Sequence, residues 1–268
     1  MTALALHVEQ RMAAGDDASR LPLVLLHGWG MNLRVFDPLR ERLAHRTTIA
    51  IDLPGHGRSP WDPGMRFEDL CEAVRAALPA RCVLLGWSLG AKIALTLAAE
   101  EPQRIAALIL LSASPRFAQS PDWPQGMPDE HMRAFRAVLE QDWERTLSDF
   151  IWLQVRGSQN ADATVEALQS ALQAHGAPRR DALVAGMQWL SDVDVRAKAA
   201  RVRQPALVVT GRNDRVTSPA AAEWLAANIA NAQLTLLPRA GHAPQLSHTA
   251  ELAARIQLFL ASVDTALP

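Results

Sequence analysis

Only two cysteines, Cys71 and Cys82, occur in the 268 residues. Two thiols cannot build the disulfide framework of a small secreted domain, and they suit a reducing compartment in which both are packing residues. Charge of one sign is also missing, since 27 Lys and Arg stand against 28 Asp and Glu. No global basic field is available to condense on nucleic acid or on an anionic membrane, so any charged partner must be met by a local patch. The longest apolar runs are strand-sized, far short of the roughly 20 residues that span a bilayer. The opening MTALALHVEQRMAAGDD lacks the basic region, apolar stretch and small-residue cleavage site of a secretory signal. Together these absences predict a cytoplasmic location. No His-Glu-x-x-His or Cys-x-x-Cys pair offers a metal ligand set. Gly28-Trp29-Gly30 and Gly55-His56-Gly57 begin like dinucleotide fingerprints, but Leu33 and Pro60 stand where the third glycine would be. Neither a metal nor any other cofactor is expected.

What the chain does have is apolar material for one full core, at 49% hydrophobic and 21% charged residues. Short Val, Ile and Leu runs alternate with longer amphipathic stretches, which predicts an α/β fold with a mostly parallel sheet flanked by helices. Strands are expected at Ala3 to Glu9, Leu23 to Leu26, Thr47 to Ile51, Cys82 to Gly86, Ala106 to Leu111, Ala206 to Thr210 and Leu234 to Leu237. Helices fit Phe36 to Ala44, Phe67 to Leu78, Leu89 to Glu100, Pro219 to Asn228 and Ala250 to Val263. From about Arg116 to Ala185 the strand-like runs stop and helical periodicity takes over, with Pro121, Pro124 and Pro128 at its start. Such an insertion cannot extend the sheet. It is expected to cover one end of it as a helical cap, 116–185, over a core made of 1–115 and 186–268.

The strongest local signal is Gly86-Trp87-Ser88-Leu89-Gly90, set between an apolar strand and a helical run. The pattern alone arises by chance in about one chain in ten of this length, so its position carries the weight. Between strand and helix it reads as a nucleophile elbow, a sharp turn that exposes Ser88 and directs the first amides of the helix at a developing oxyanion. A serine hydroxyl needs a base, and the base an orienting acid. His242 follows the last strand in Arg239-Ala240-Gly241-His242, and Asp214 follows the strand Ala206 to Thr210. All three fall at strand ends. His248 is the best substitute base, while Asp192 and Asp194 are substitute acids; His45, His131 and His175 read as solvated or capping residues. The second oxyanion donor is expected from His27-Gly28-Trp29-Gly30, with the amide of Trp29 joining that of Leu89.

The segments HGWG, DLPGHGRS, GWSLG, GRNDRV and GHAP, at these spacings, resemble α/β-hydrolases over nearly the whole chain. Within that fold, LLHGWGMN, LGWSLG, SASPRF followed by DWP, and GHAPQLSH are similar to the pimeloyl-[acyl-carrier protein] methyl ester esterases of biotin synthesis. The resemblance implies a cofactor-free serine carboxylesterase that removes the methyl group from a pimeloyl chain on the acyl carrier protein. It implies Ser88 as nucleophile, Asp214 and His242 as partners, Trp29 and Leu89 as oxyanion contacts, and Phe150, Ile151, Trp152, Leu153 and Gln154 as lining of the acyl tunnel. Caps of that family present arginines to the acidic carrier, whereas Asp162 to Glu166 is acidic here. Arg133, Arg136, Arg145 and Arg156 remain as expected carrier contacts. The alternatives are a general short-chain carboxylesterase, a carbon–carbon bond hydrolase of the same fold, or an idle ligand receptor, which a complete Ser, His and Asp set argues against.

Overall fold

Seven strands form one sheet in the computed structural model, which describes residues 4–14 and 20–266. They are β1 (Val8–Arg11), β2 (Leu23–Leu26), β3 (Thr48–Ile51), β4 (Cys82–Trp87), β5 (Ile105–Leu111), β6 (Ala206–Gly211) and β7 (Ala232–Leu237), in the order β1-β3-β2-β4-β5-β6-β7. β1 runs antiparallel to β3 and every other neighbouring pair is parallel. Every residue of β2, β3, β4 and β6 is buried. Strands covered on both faces read as unbroken apolar runs, which is why they were legible in the sequence.

The period-two alternation of each strand then divides the core. Val24, Leu26 and Leu84 point to one face, where α2 (Phe67–Ala77), α3 (Leu89–Glu100) and α9 (Pro219–Asn228) pack. Leu23, Leu25, Val83 and Leu85 point to the other, where α1 (Asp37–Arg42) and α11 (Thr249–Ala266) pack. Helix α3 is buried on nearly all sides, so its one cation has no route to water. Lys92 Nζ instead donates to the carbonyls of Leu190 and Val193, at 3.2 and 2.7 Å, and burial pulls its pKa down to about 7. Among the described residues no helix is long and apolar enough to cross a membrane.

Between β5 and β6, ahead of the short α8, the described residues form four longer helices and no strand: α4 (Asp129–Gln141), α5 (Trp143–Val155), α6 (Ala161–His175) and α7 (Arg180–Asp192). They sit over the C-terminal edge of the sheet. Leu183 O accepts the indole N–H of Trp29, in the loop after β2, and Gln154 O accepts the amide of His242, in the loop after β7. The short helices α8 (Arg196–Ala199) and α10 (Pro244–Ser247) complete the chain.

Three expectations need correction. The first strand pairs only over Val8–Arg11; at His7 the backbone is held by the Ser59 hydroxyl and by the Asp52 amide, and Ala3 lies outside the described residues. The helix expected from Phe36 starts one residue later, because Leu33–Phe36 winds as a 3-10 turn capped by the Asn32 side chain. His175 is not a solvated or capping residue. Its side chain is 1% exposed, with Nδ1 at 3.0 Å from Asp52 and Nε2 accepting from Arg34 Nε at 2.9 Å. It fastens the last residue of α6 to the loop after β3.

Candidate active site

At the end of β4 the chain must reverse its course and enter α3 within one residue. Ser88 makes that turn at φ 56° and ψ −114°, a conformation that costs a non-glycine residue about 1–3 kcal/mol and persists only where the surroundings enforce it. The glycines on either side supply the enforcement. A Cβ on Gly86 would lie 2.2 Å from the Gly90 carbonyl oxygen, and one on Gly90 would lie 2.2 Å from Leu26 O, so no larger residue fits either place. Ser88 N donates to Leu111 O at 3.0 Å, and the residue keeps 8% exposure in an otherwise closed setting.

His242 and Asp214 meet across the ends of β7 and β6. Nδ1 of His242 lies 2.9 Å from Asp214 Oδ2 and 3.1 Å from Oδ1, with side chains 1% and 0% exposed. Burial alone would push the Asp214 carboxyl up. His242 and the amides of Thr217 and Val216 outweigh it, so its pKa falls below the ordinary carboxylate value. The Thr217 hydroxyl donates to Oδ2 at 2.9 Å. An acid so fully engaged stays ionised and fixes the proton of His242 on Nδ1. The backbone of His242 is clamped as well: its amide donates to Gln154 O at 2.8 Å, and its carbonyl accepts the Trp87 indole N–H at 2.8 Å. The other ring nitrogen, Nε2, is buried and has no hydrogen-bond partner among the described residues. Such an orphaned atom is expensive unless a reactant completes it.

The loop after β2 lies against the serine, since a Cβ on Gly28 would come within 3.1 Å of Ser88 Cβ. Among the described residues neither the Trp29 nor the Leu89 amide donates a hydrogen bond. Two free N–H groups beside a serine are the raw material of an oxyanion hole. The Trp29 indole is held by Leu183 O and meets Phe150 and Phe135 edge-on, at ring separations of 5.0 and 5.7 Å.

The substitutes do not assemble. Asp192 ends α7, Asp194 pairs with Arg116 and Arg196, and His248 bonds the neighbouring Ser247. Of the expected tunnel residues, Phe150 and Leu153 face a small apolar cavity shared with Phe117, Met132, Phe135 and Met187, whereas Ile151 packs toward the opposite core. Gln154 is buried, and among the described residues neither its side-chain oxygen nor its side-chain nitrogen has a partner. Trp152 is 51% exposed and does not face that cavity. At 3.6 residues per turn, a helix that turns Phe150 inward carries position 152 to the far side. The four arginines do not form one free basic face either. Arg133 pairs with Asp129, Arg145 lies 3.8 Å from Asp149, and Arg136 bonds Gln188 and Ser191; only exposed Arg156 has no side-chain partner among the described residues. The clamps on His242, namely Trp87, Thr217 and the Gln154 carbonyl, carry no sequence signal beyond their nearness to the motifs.

A family model described as alpha/beta hydrolase fold matches residues 22–249. A protein from Nitrosomonas europaea named pimeloyl-[acyl-carrier protein] methyl ester esterase is 38% identical over 226 residues, covering 84% of this chain and 90% of that protein. A protein of the same name from Nitrosospira multiformis is 36% identical over 267 residues, covering 97% and 99%. Among solved structures, an esterase from Exiguobacterium antarcticum superposes with a TM-score of 0.85 over 96% of this chain and 95% of its own, at 22% identity. That last likeness speaks to the fold alone.

Proposed function

This chain belongs to the α/β-hydrolase fold family and is a carboxylic ester hydrolase, and on that premise we propose that it cleaves the methyl ester of a pimeloyl chain borne on an acyl carrier protein. The observation that carries the substrate is the near full-length similarity to two esterases of that name. The chemistry rests on the His242–Asp214 pair and its unpartnered Nε2.

In this reading His242 Nε2 takes the Ser88 proton as Oγ attacks the ester carbonyl. Asp214 holds the imidazole by Nδ1–H and stabilises the imidazolium. The amides of Trp29 and Leu89 receive the oxyanion. His242 then returns the proton to the departing methoxide, so methanol leaves and an acyl-enzyme remains. Water, deprotonated by His242, attacks that ester; His242 returns the proton to Ser88 Oγ as the intermediate collapses, and the carboxylic acid released loses its remaining proton to solvent. Every proton is accounted for by Ser88, His242 and water. The helices α4 to α7 act as the cap, and the cavity at Phe150 and Leu153 takes part of the acyl chain. The two free, buried cysteines and a carrier-borne substrate support a cytoplasmic location.

The pairing of Arg133 and Arg145 within their own helices favours a second reading, a general short-chain carboxylesterase. The two readings part on turnover. Methanol release from methyl pimeloyl-carrier is expected at a kcat/KM at least about tenfold above that for methyl butyrate, the scale of one docking interaction. Equal values for the two esters would discard the carrier-specific reading.

A further inference from the structure

Resting on that reading, the charges the cap leaves unused point to a different docking place for the carrier. Beside the loop after β6 lies a cavity of ≈ 400 Å³, walled by Met127, His131, Arg212, Asp214, Arg215 and Pro219 among others. Arg212 and Arg215 are exposed, and neither guanidinium has a hydrogen-bond or ion-pair partner among the described residues. The only acid in the wall is Asp214. Its carboxylate is 0% exposed and committed to His242, Val216 and Thr217, so it cannot neutralise them. His131, 3.9 Å from Glu130, stands at the rim. The start of α9 offers no free amide here, since Pro219 has none and Ala220 N is taken by Ser218 Oγ. Recognition at this cavity falls to the two guanidinium groups, planar forks suited to carboxylates.

We propose that Arg212 and Arg215 form the docking surface for the acidic face of the carrier, and that Arg133 and Arg145 do not. Charge complementarity favours that surface. On α4 and α5, Arg133 and Arg145 already have acidic partners one turn away, and a carrier carboxylate would have to displace them. At the cavity the positive charge is uncompensated and lies in the same loop as Asp214. A carrier seated there stands over the catalytic edge of the sheet. Its long prosthetic arm can then deliver the distal ester to Ser88 and hold the thioester back.

The test is Arg212→Glu with Arg215→Glu, assayed with methyl pimeloyl-carrier and with methyl butyrate. The KM for the carried ester is expected to rise at least about tenfold at low ionic strength, with the difference shrinking toward high salt as screening sets in. Methyl butyrate kinetics should change less than about twofold, since no charge is recognised in that ester. The matching reversal of Arg133 and Arg145 should leave both substrates near wild type. Unchanged KM for the carried ester in the Arg212 and Arg215 variant overturns the docking surface while leaving the esterase reading intact. An equal loss on both substrates also overturns it, by assigning the arginines to support of the Asp214 loop. If wild type releases methanol from methyl butyrate but not from the carried ester, the functional reading falls. Binding of the unacylated carrier to wild type and variant then judges the surface separately, and equal binding counts against it.

Discussion

Two histidine–aspartate pairs lie buried in this molecule with nearly the same geometry. His242 Nδ1 is 2.9 Å from Asp214 Oδ2, and His175 Nδ1 is 3.0 Å from Asp52 Oδ2; in each the imidazole is 1% exposed and the carboxylate 0%. In each the aspartate also accepts two backbone amides, from Val216 and Thr217 in one and from Leu33 and Arg58 in the other. The difference is at the far nitrogen. Nε2 of His175 is filled by Arg34, whereas Nε2 of His242 has no partner among the described residues. A His–Asp pair is therefore no sign of catalysis by itself. The His175–Asp52 pair fastens α6 to the sheet, and the His242–Asp214 pair leaves its basic atom for chemistry. The helical segment reaches both, through His175 itself and through the Gln154 carbonyl on the His242 amide.

The same substitution made in both pairs should break the likeness. Asp214→Asn is expected to cost roughly 10⁴-fold in kcat by misorienting the imidazole, with little change in folding stability. Steady-state kinetics decide it; a loss of only about tenfold, the size of one ordinary hydrogen bond, would mean that the orienting acid lies elsewhere. Asp52→Asn should do the reverse. Losing the charge facing His175 should cost about 1–3 kcal/mol in a urea melt, while kcat stays within about tenfold of wild type. A large kcat loss there, with stability kept, would make the second pair part of the catalytic machinery.

Lys92, a buried titratable group belonging to neither pair, sharpens the distinction through pH. Its folded pKa of about 7 lies below the roughly 10.4 of an unfolded lysine, so between these values the unfolded chain binds the extra proton. Stability should rise with pH across that window, at no more than roughly 1.4 kcal/mol per unit, and Lys92→Met should flatten the rise. Urea midpoints near neutral and alkaline pH provide the check, and an unchanged slope in the variant would assign it to other groups. The smallest effect is expected from Trp152→Ala. With half its surface in water, the residue should change turnover of short and long methyl esters by less than about twofold. A loss confined to long esters would return Trp152 to the acyl route.

Much of this was legible before the fold was known, for reasons particular residues make plain. Strands covered on both faces are unbroken apolar runs, so the ends of β4 and β6 could be read, with Ser88 and Asp214 just past them, while the half-exposed edge strand β7 showed only its Leu234 to Leu237 run ahead of His242. Gly86 and Gly90 marked the elbow because nothing larger fits between the neighbouring carbonyls. The His175 pair was not legible, since its partner is 123 residues away and the surrounding Gln-Ala-His-Gly-Ala-Pro carries no sign of burial. That Trp152 points away from the Phe150 cavity was not legible in a run of five consecutive residues expected as one lining, since a helix turns only some of them inward. The acids that occupy Arg133 and Arg145 stand four residues away in the sequence and were available to a helical reading.

The central claim, that Ser88 is activated by the His242 and Asp214 pair and not by its look-alike, is tested most directly by covalent capture. Wild type, Asp214→Asn and Asp52→Asn proteins would be exposed to an alkyl fluorophosphonate and followed by intact mass, with peptide mapping of the adduct. The account predicts a single adduct on Ser88, formed at a near wild-type rate in Asp52→Asn and slowed by orders of magnitude in Asp214→Asn. An adduct on another residue, or equal labelling rates in all three proteins, would contradict it.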